Sequence, residues 1–173
     1  MNLLLNFVVT YLPAMAANGA PVALLAGRKG TPIDMGRTFV DGRRVLGDGK
    51  TFEGLLVGLA AGTITALVVA ALVSPALEMQ TVVLTGFVSS AGAMFGDLAK
   101  SFFKRRAGLE RGERLLLADQ LDFFLGATLF LTFCERCVKP VLESFVAGLI
   151  LIPLLHALTN YIAFKLGLKS VPW

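Results

Sequence analysis

Long apolar runs separated by two charged stretches set the pattern of this chain. Runs at 3–26, 53–73, 81–104, 116–136 and 140–165 are each about the length needed to cross a hydrocarbon core of about 30 Å. The pattern predicts an all-α, polytopic membrane protein. It would be a bundle of five transmembrane helices in one integral membrane domain over 1–173, with two cytoplasmic loops at 27–52 and 105–115. The first run contains Pro13, Asn18, Gly19 and Pro21, which interrupt it and read as kinks, with Asn18 expected to hydrogen-bond to a neighbouring helix in preference to contacting substrate. Ala14-Met15-Ala16 resembles a signal-peptidase site, but no Lys or Arg precedes the run, so a retained first helix is expected. Gly54, Gly58 and Gly62 recur every fourth residue in the second run and predict close helix packing.

Composition agrees. Of the 173 residues 55% are hydrophobic and 16% charged, against roughly a quarter charged in soluble domains. The net charge of +4 is no sign of nucleic acid, because the cations are clustered between apolar runs, accompanied by acids, and lack interleaved aromatic platforms. Of sixteen Lys and Arg, six lie in the first loop, six between Lys100 and Arg114, and two in the C-terminal tail. The positive-inside rule then places the N-terminus outside and both loops and the C-terminus in the cytoplasm.

The candidate chemistry centres on 96–122, GDLAKSFFKRRAGLERGERLLLADQLD. Asp97, Lys100, Ser101 and Lys104 share one helical face, with Arg105 close to the same stripe, while Asp119 and Asp122 share a face of the next helix. If those helices pack together, three carboxylates and several cations converge, as a divalent metal and a polyphosphate require. Acids near a helix N-terminus are favoured by its dipole, yet at membrane depth they demand a partner. In the first loop, Val40 to Val45 reads as a tight hairpin with Asp41-Gly42 at the bend. Gly47-Asp48-Gly49-Lys50-Thr51 leads into the second helix as an anion-binding turn or an ordinary solvated one. Cys134 and Cys137 read as isolated thiols or a local disulfide in preference to a metal pair. His156 and Asn160, four apart, are expected to satisfy each other or neighbouring backbone.

The combination Gly96-Asp97-x3-Ser101-x2-Lys104-Arg105 with Asp119-Gln120-Leu121-Asp122 resembles the signature of the CTP:phosphatidate cytidylyltransferase superfamily. Gln120 stands where the wider signature has Arg. Pro32-Ile33-Asp34-Met35-Gly36, Asp41-Gly42-Arg43-Arg44 and Gly47-Asp48-Gly49-Lys50-Thr51 resemble its smaller archaeal branch, the five-helix CDP-archaeol synthases. The resemblance implies transfer of CMP from CTP to a polyprenyl ether-lipid phosphate, with Mg²⁺ as cofactor and release of pyrophosphate. It implies Asp97, Asp119 and Asp122 as metal ligands, and Lys100 and Lys104 beside them in catalysis. Ser101 and Arg105 would bind phosphates, and Arg43, Arg44, Asp48, Gly49, Lys50 and Thr51 would contact CTP. The partners implied are CTP, the lipid phosphate and the bilayer, in a multi-pass cell-membrane protein, with a homodimer left open. Ordinary phosphatidate as substrate, or a small membrane transporter, are the alternatives.

Overall fold

The computed structural model describes residues 1–73, 76–109, 113, 115 and 118–165. It contains five helices: α1 (Leu3–Leu24), α2 (Phe52–Val73), α3 (Met79–Arg106), α4 (Ala118–Phe133) and α5 (Leu142–Lys165). Four described stretches are long and apolar enough to cross a bilayer: α1, α2, α3 and Leu142–Thr159 of α5. The fourth helix corrects the expected 116–136 run. Its 16 residues span about 24 Å at 1.5 Å per residue, short of a full core. The side chains of His156 and Asn160 and the tail beyond Lys165 lie outside the described residues.

Small residues decide how closely the helices approach. α1 stays helical through Pro13 and Pro21. The Ala17 carbonyl, which Pro21 leaves without its helical donor, faces Gly58, and the Pro13 carbonyl faces Gly62. Met94 and Ser90 of α3 close on the same two glycines, so the stripe is the seam of α1, α2 and α3. A second seam joins α3 to α4. A Cβ on Gly92 would meet the Gly126 and Ala127 backbone, and one on Gly96 would meet the Asp122 carbonyl. At such a seam the backbones touch, which is what dispersion-driven packing in lipid requires.

Between the seams, Tyr11 lies 4.5 Å from Phe124, ring centroid to centroid, and Phe124 stacks on Phe145 at 5.3 Å, uniting α1, α4 and α5. The Tyr11 hydroxyl pairs with Thr128 Oγ1 at 3.0 Å, so the buried phenol is satisfied. At the end of the bundle away from Asp97, the connection between α4 and α5 is pinned by polar side chains. Asn6 donates to the Lys139 carbonyl at 2.9 Å and accepts from the Val141 N–H at 3.1 Å. Lys139 Nζ donates to the carbonyls of Leu131, Thr132 and Cys134, satisfying the C-terminus of α4. Cys134 and Cys137 form a disulfide in this irregular stretch, with Cα atoms 5.4 Å apart.

The glycine seam gives the first prediction. Gly96→Val forces α4 off α3 and is expected to cost about 1–3 kcal/mol, read as a lowered melting temperature in detergent. Gly19→Ala, where a Cβ meets nothing within 4 Å, is expected to be neutral or to stabilise by up to about 1 kcal/mol.

Candidate functional site

The α3–α4 seam brings the charged faces of both helices together. Lys100 Nζ stands between three carboxylates: 2.5 Å from Asp122 Oδ2, 3.3 Å from Asp97 Oδ1 and 3.4 Å from Asp119 Oδ1. Lys50, from the first loop, reaches Asp97 Oδ2 at 2.6 Å. Lys104 Nζ is 3.2 Å from both Asp119 oxygens and also donates to the Glu113 carbonyl. Three acids and three ammonium groups thus alternate across α3, α4 and the first loop. Burial makes the alternation necessary, since the Asp122 side chain is only 4% exposed and an unpaired charge there would cost several kcal/mol. Ser101 Oγ donates back to the Asp97 carbonyl at 2.9 Å, within α3.

The first loop is built around Asp34, which the sequence reading left outside the candidate site. Its carboxylate accepts from Arg44 Nη2 at 2.6 Å and Nε at 3.2 Å, and from the N–H groups of Leu46, Gly47 and Gly36 at 2.9, 2.8 and 3.2 Å. Burial alone would raise the Asp34 carboxyl. The Arg44 guanidinium and the N–H groups of Gly47, Leu46 and Gly36 outweigh it and hold the group well below the ordinary carboxylate range. Arg44 also pairs with Asp48 at 2.7 Å, so its guanidinium is spent inside the loop. An internal anion already occupies the Gly47 N–H of the glycine-rich turn.

The hairpin expected over Val40 to Val45 is corrected to a wider bridged turn. Thr38 bridges to Arg44, the Phe39 N–H donates to the Arg43 carbonyl at 2.7 Å, and Gly42 takes a φ of 77°. Among the described residues no longer strand forms. The turn is tied to the end of α3 instead. Arg106 lies between the rings of Phe39 and Phe102, 4.8 and 4.9 Å from their centroids, and pairs with Asp41 at 3.0 Å. Arg43 returns the contact by donating to the Arg106 carbonyl at 2.8 Å. Arg105 donates to the Leu109 carbonyl at 2.6 Å, while its buried Nε has no hydrogen-bond partner and lies against Gly47. Thr51 Oγ1 accepts from the Gly54 N–H at 3.1 Å and caps α2.

Beside the ion cluster opens a cavity of about 1030 Å³ between α1, α2, α3 and the first loop. Asp97, Asp48, Gly49, Lys50 and Thr51 line its inner side. Asn18, for which substrate contact was the lesser reading, also lines it, as do Arg28 and Lys29, which were not among the candidates. A polar residue at membrane depth and a dibasic pair just past a helix end were the signals available for them.

The donor set suits a hard divalent cation in kind: three carboxylates on two helices converge on one point, and that point already carries the positive charge of Lys100. Among the described residues no group of acids, His or Cys is already spaced as a metal cage. A metal held by Asp97, Asp119 and Asp122 would therefore replace the ammonium at their centre.

A helical membrane bundle with buried, charge-alternating acids and lysines beside an open cavity is the architecture of an intramembrane enzyme acting on anionic substrates. The chain belongs to the CarS-like CDP-archaeol synthase family, whose profile matches residues 1–173. It is 48% identical over 170 residues to a CDP-archaeol synthase of Sulfolobus acidocaldarius, covering 98% of both chains. It is 44% identical over 172 residues to one of Saccharolobus islandicus, covering 99% of this chain and 97% of that one. A solved structure, described as an intramembrane enzyme for archaeal membrane lipids biosynthesis, superposes with a TM-score of 0.76 at 40% identity. The match covers 88% of this chain and 91% of that one.

Asp34 supplies a prediction of sign. Its folded pKa is depressed, so the loop order it provides is complete above the unfolded value of about 3.9 and is lost as pH falls through the lower folded value. Asp34→Asn removes the charge at every pH and is expected to cost the loop about 2 kcal/mol. Faster amide exchange at Leu46 and Gly47 at neutral pH is the readout, with α3 and α4 unchanged.

Proposed function

We propose that this chain transfers CMP from CTP to 2,3-bis-O-(geranylgeranyl)-sn-glycerol 1-phosphate, forming CDP-archaeol and pyrophosphate. Family membership over the whole chain supports the reaction. The observation that carries it to particular atoms is the cluster in which Lys50, Lys100 and Lys104 alternate with Asp97, Asp119 and Asp122 beside a cavity that Lys50 and Asp97 also line. A lipid-phosphate oxygen attacks the α-phosphorus of CTP, a new P–O bond forms, and the bond to the pyrophosphate oxygen breaks. Lys50 and Lys100 are released from carboxylates when a triphosphate arrives and grip its oxygens. Lys104 remains on Asp119 and holds the start of α4 in place. Arg105 presents its unpartnered Nε toward the turn at Gly47, where nucleotide phosphates would lie. Mg²⁺, held by Asp97, Asp119 and Asp122, would neutralise charge on the phosphates.

The clustering of cations in the two loops supports an orientation. With the N-terminus outside and the C-terminus in the cytoplasm, the site faces the compartment that holds CTP. The Cys134–Cys137 disulfide then lies on the outer, oxidising side.

Purified protein supplied with CTP, Mg²⁺ and the ether-lipid phosphate is expected to release one pyrophosphate per CDP-lipid formed. Asp97→Asn is expected to lower kcat about a hundredfold or more with folding intact. Chelation of Mg²⁺ should abolish turnover and its return restore it. Equal turnover of Asp97→Asn and wild type would overturn the assignment, and preference for an ester-linked phosphatidate would overturn the substrate.

A further inference from the structure

The tip of the bridged turn in the first loop is apolar and outward-facing. Phe39 is 43% exposed and Val40 93%. The turn beneath them is firmly fastened. Its one carboxylate, Asp41, pairs with Arg106 of α3, and Arg106 Nη2 donates to the carbonyls of Arg43 and Arg44 at 3.2 and 2.7 Å. The exposure of Phe39 and Val40 is therefore imposed by the fold, since the backbone on both sides of the tip is held to a helix end.

The tip is continuous with a surface that meets lipid. The Phe39 ring stands edge-on to Phe102 of α3 at 5.4 Å, and Phe102 meets Phe103 at 5.7 Å. Phe103 is 66% exposed, and so is half of Phe95, two turns before Phe102 on the same stripe. A row of rings thus runs from the apolar face of α3 onto the loop. Its depth follows from length. The 28 residues of α3 span about 42 Å against a hydrocarbon core of about 30 Å. The excess belongs at the end that carries Lys104, Arg105 and Arg106, so Phe102 and Phe103 lie at the level of the lipid heads. Charge agrees. Arg37 is exposed just before the tip and pairs with no carboxylate among the described residues. Two side chains are far short of the roughly 800 Å² a side that a stable protein interface buries. They do suit a bilayer surface, which takes small apolar wedges flanked by cations.

We propose that the Phe39–Val40 tip is an interfacial anchor, a surface by which the first loop docks onto the bilayer beside α3, with its apolar side chains among the lipid heads and Arg37 facing anionic ones. The loop that carries Lys50 is then fixed on two sides, to α3 through Arg106 and to the membrane through its tip. The proposal does not depend on which reaction the site performs.

Quenching of a fluorophore at the tip tests it. Val40→Cys changes a side chain that is 93% exposed, and Cys134 and Cys137 are joined in the disulfide, so a bimane label goes to the introduced thiol. The labelled full chain is reconstituted into vesicles of phosphatidylcholine and phosphatidylglycerol. Lipid carrying a spin label high on its chain is expected to remove most of the emission, and iodide in the water to remove little. Quenching by iodide with none by the spin-labelled lipid would put the tip in solution and overturn the proposal. Quenching by neither, with Val40→Cys chains cross-linking in pairs, would assign the tip to a second copy and overturn it too. In the same vesicles Arg37→Gln is expected to lower the ratio of inserted to free tips about fivefold, the worth of one cation near an anionic surface. It should have no such effect in phosphatidylcholine alone. An equal ratio for Arg37→Gln and Arg37 in both vesicles would overturn the part given to Arg37.

Discussion

One ammonium group surrounded by three carboxylates is the interaction on which the rest of this structure depends. Lys100 lies within 3.4 Å of Asp97, Asp119 and Asp122, and Lys50 and Lys104 complete a set in which every charge has an opposite neighbour. At membrane depth neither set of charges is tolerable alone, so the cluster holds itself together by the desolvation cost of separating it. The same balance makes it ready for ligands. In the proposed reaction a divalent cation would take over from the ammonium groups and a polyphosphate from the carboxylates, without leaving a buried charge unpaired.

The scaffold serves this cluster through close approach. Gly92, Gly96 and Gly126 let α3 and α4 touch where the charged faces of the two helices meet. The first loop is held by two independent devices. Asp34 gathers Arg44 and three backbone N–H groups inside the loop, and Arg106 clamps the turn to α3 between two phenyl rings. Lys50 is thereby held over Asp97 by parts that need not move when it lets go. The opposite end of the bundle is fixed by Asn6, Lys139 and the disulfide, far from any chemistry.

Much of this was readable beforehand. Hydropathy runs located five helices to within a few residues, and the three-and-four spacing of Asp97, Lys100 and Lys104 placed them on one face, because both signals are periodic and local. The acids of α4 were found for the same reason. Asp34 was passed over because its role is to collect N–H groups from residues up to thirteen positions away, which no local pattern announces. Arg44 was read as a CTP contact, whereas its two carboxylate partners, ten residues back and four ahead, become visible only once the loop is folded.

What the amino-acid order determined alone is the medium and the material: a chain too apolar for water, with acids and cations confined to two stretches. The tertiary structure decided which charges meet. It assigned Lys100 rather than solvent to the three carboxylates, turned Arg44 and Arg106 inward as struts, and left Asn18 facing open space instead of a neighbouring helix. The physical reason is that hydropathy is a property of each segment and can be summed along the chain. Charge pairing in a low-dielectric interior depends on distances between segments, and glycine contacts set those distances only after the helices have packed.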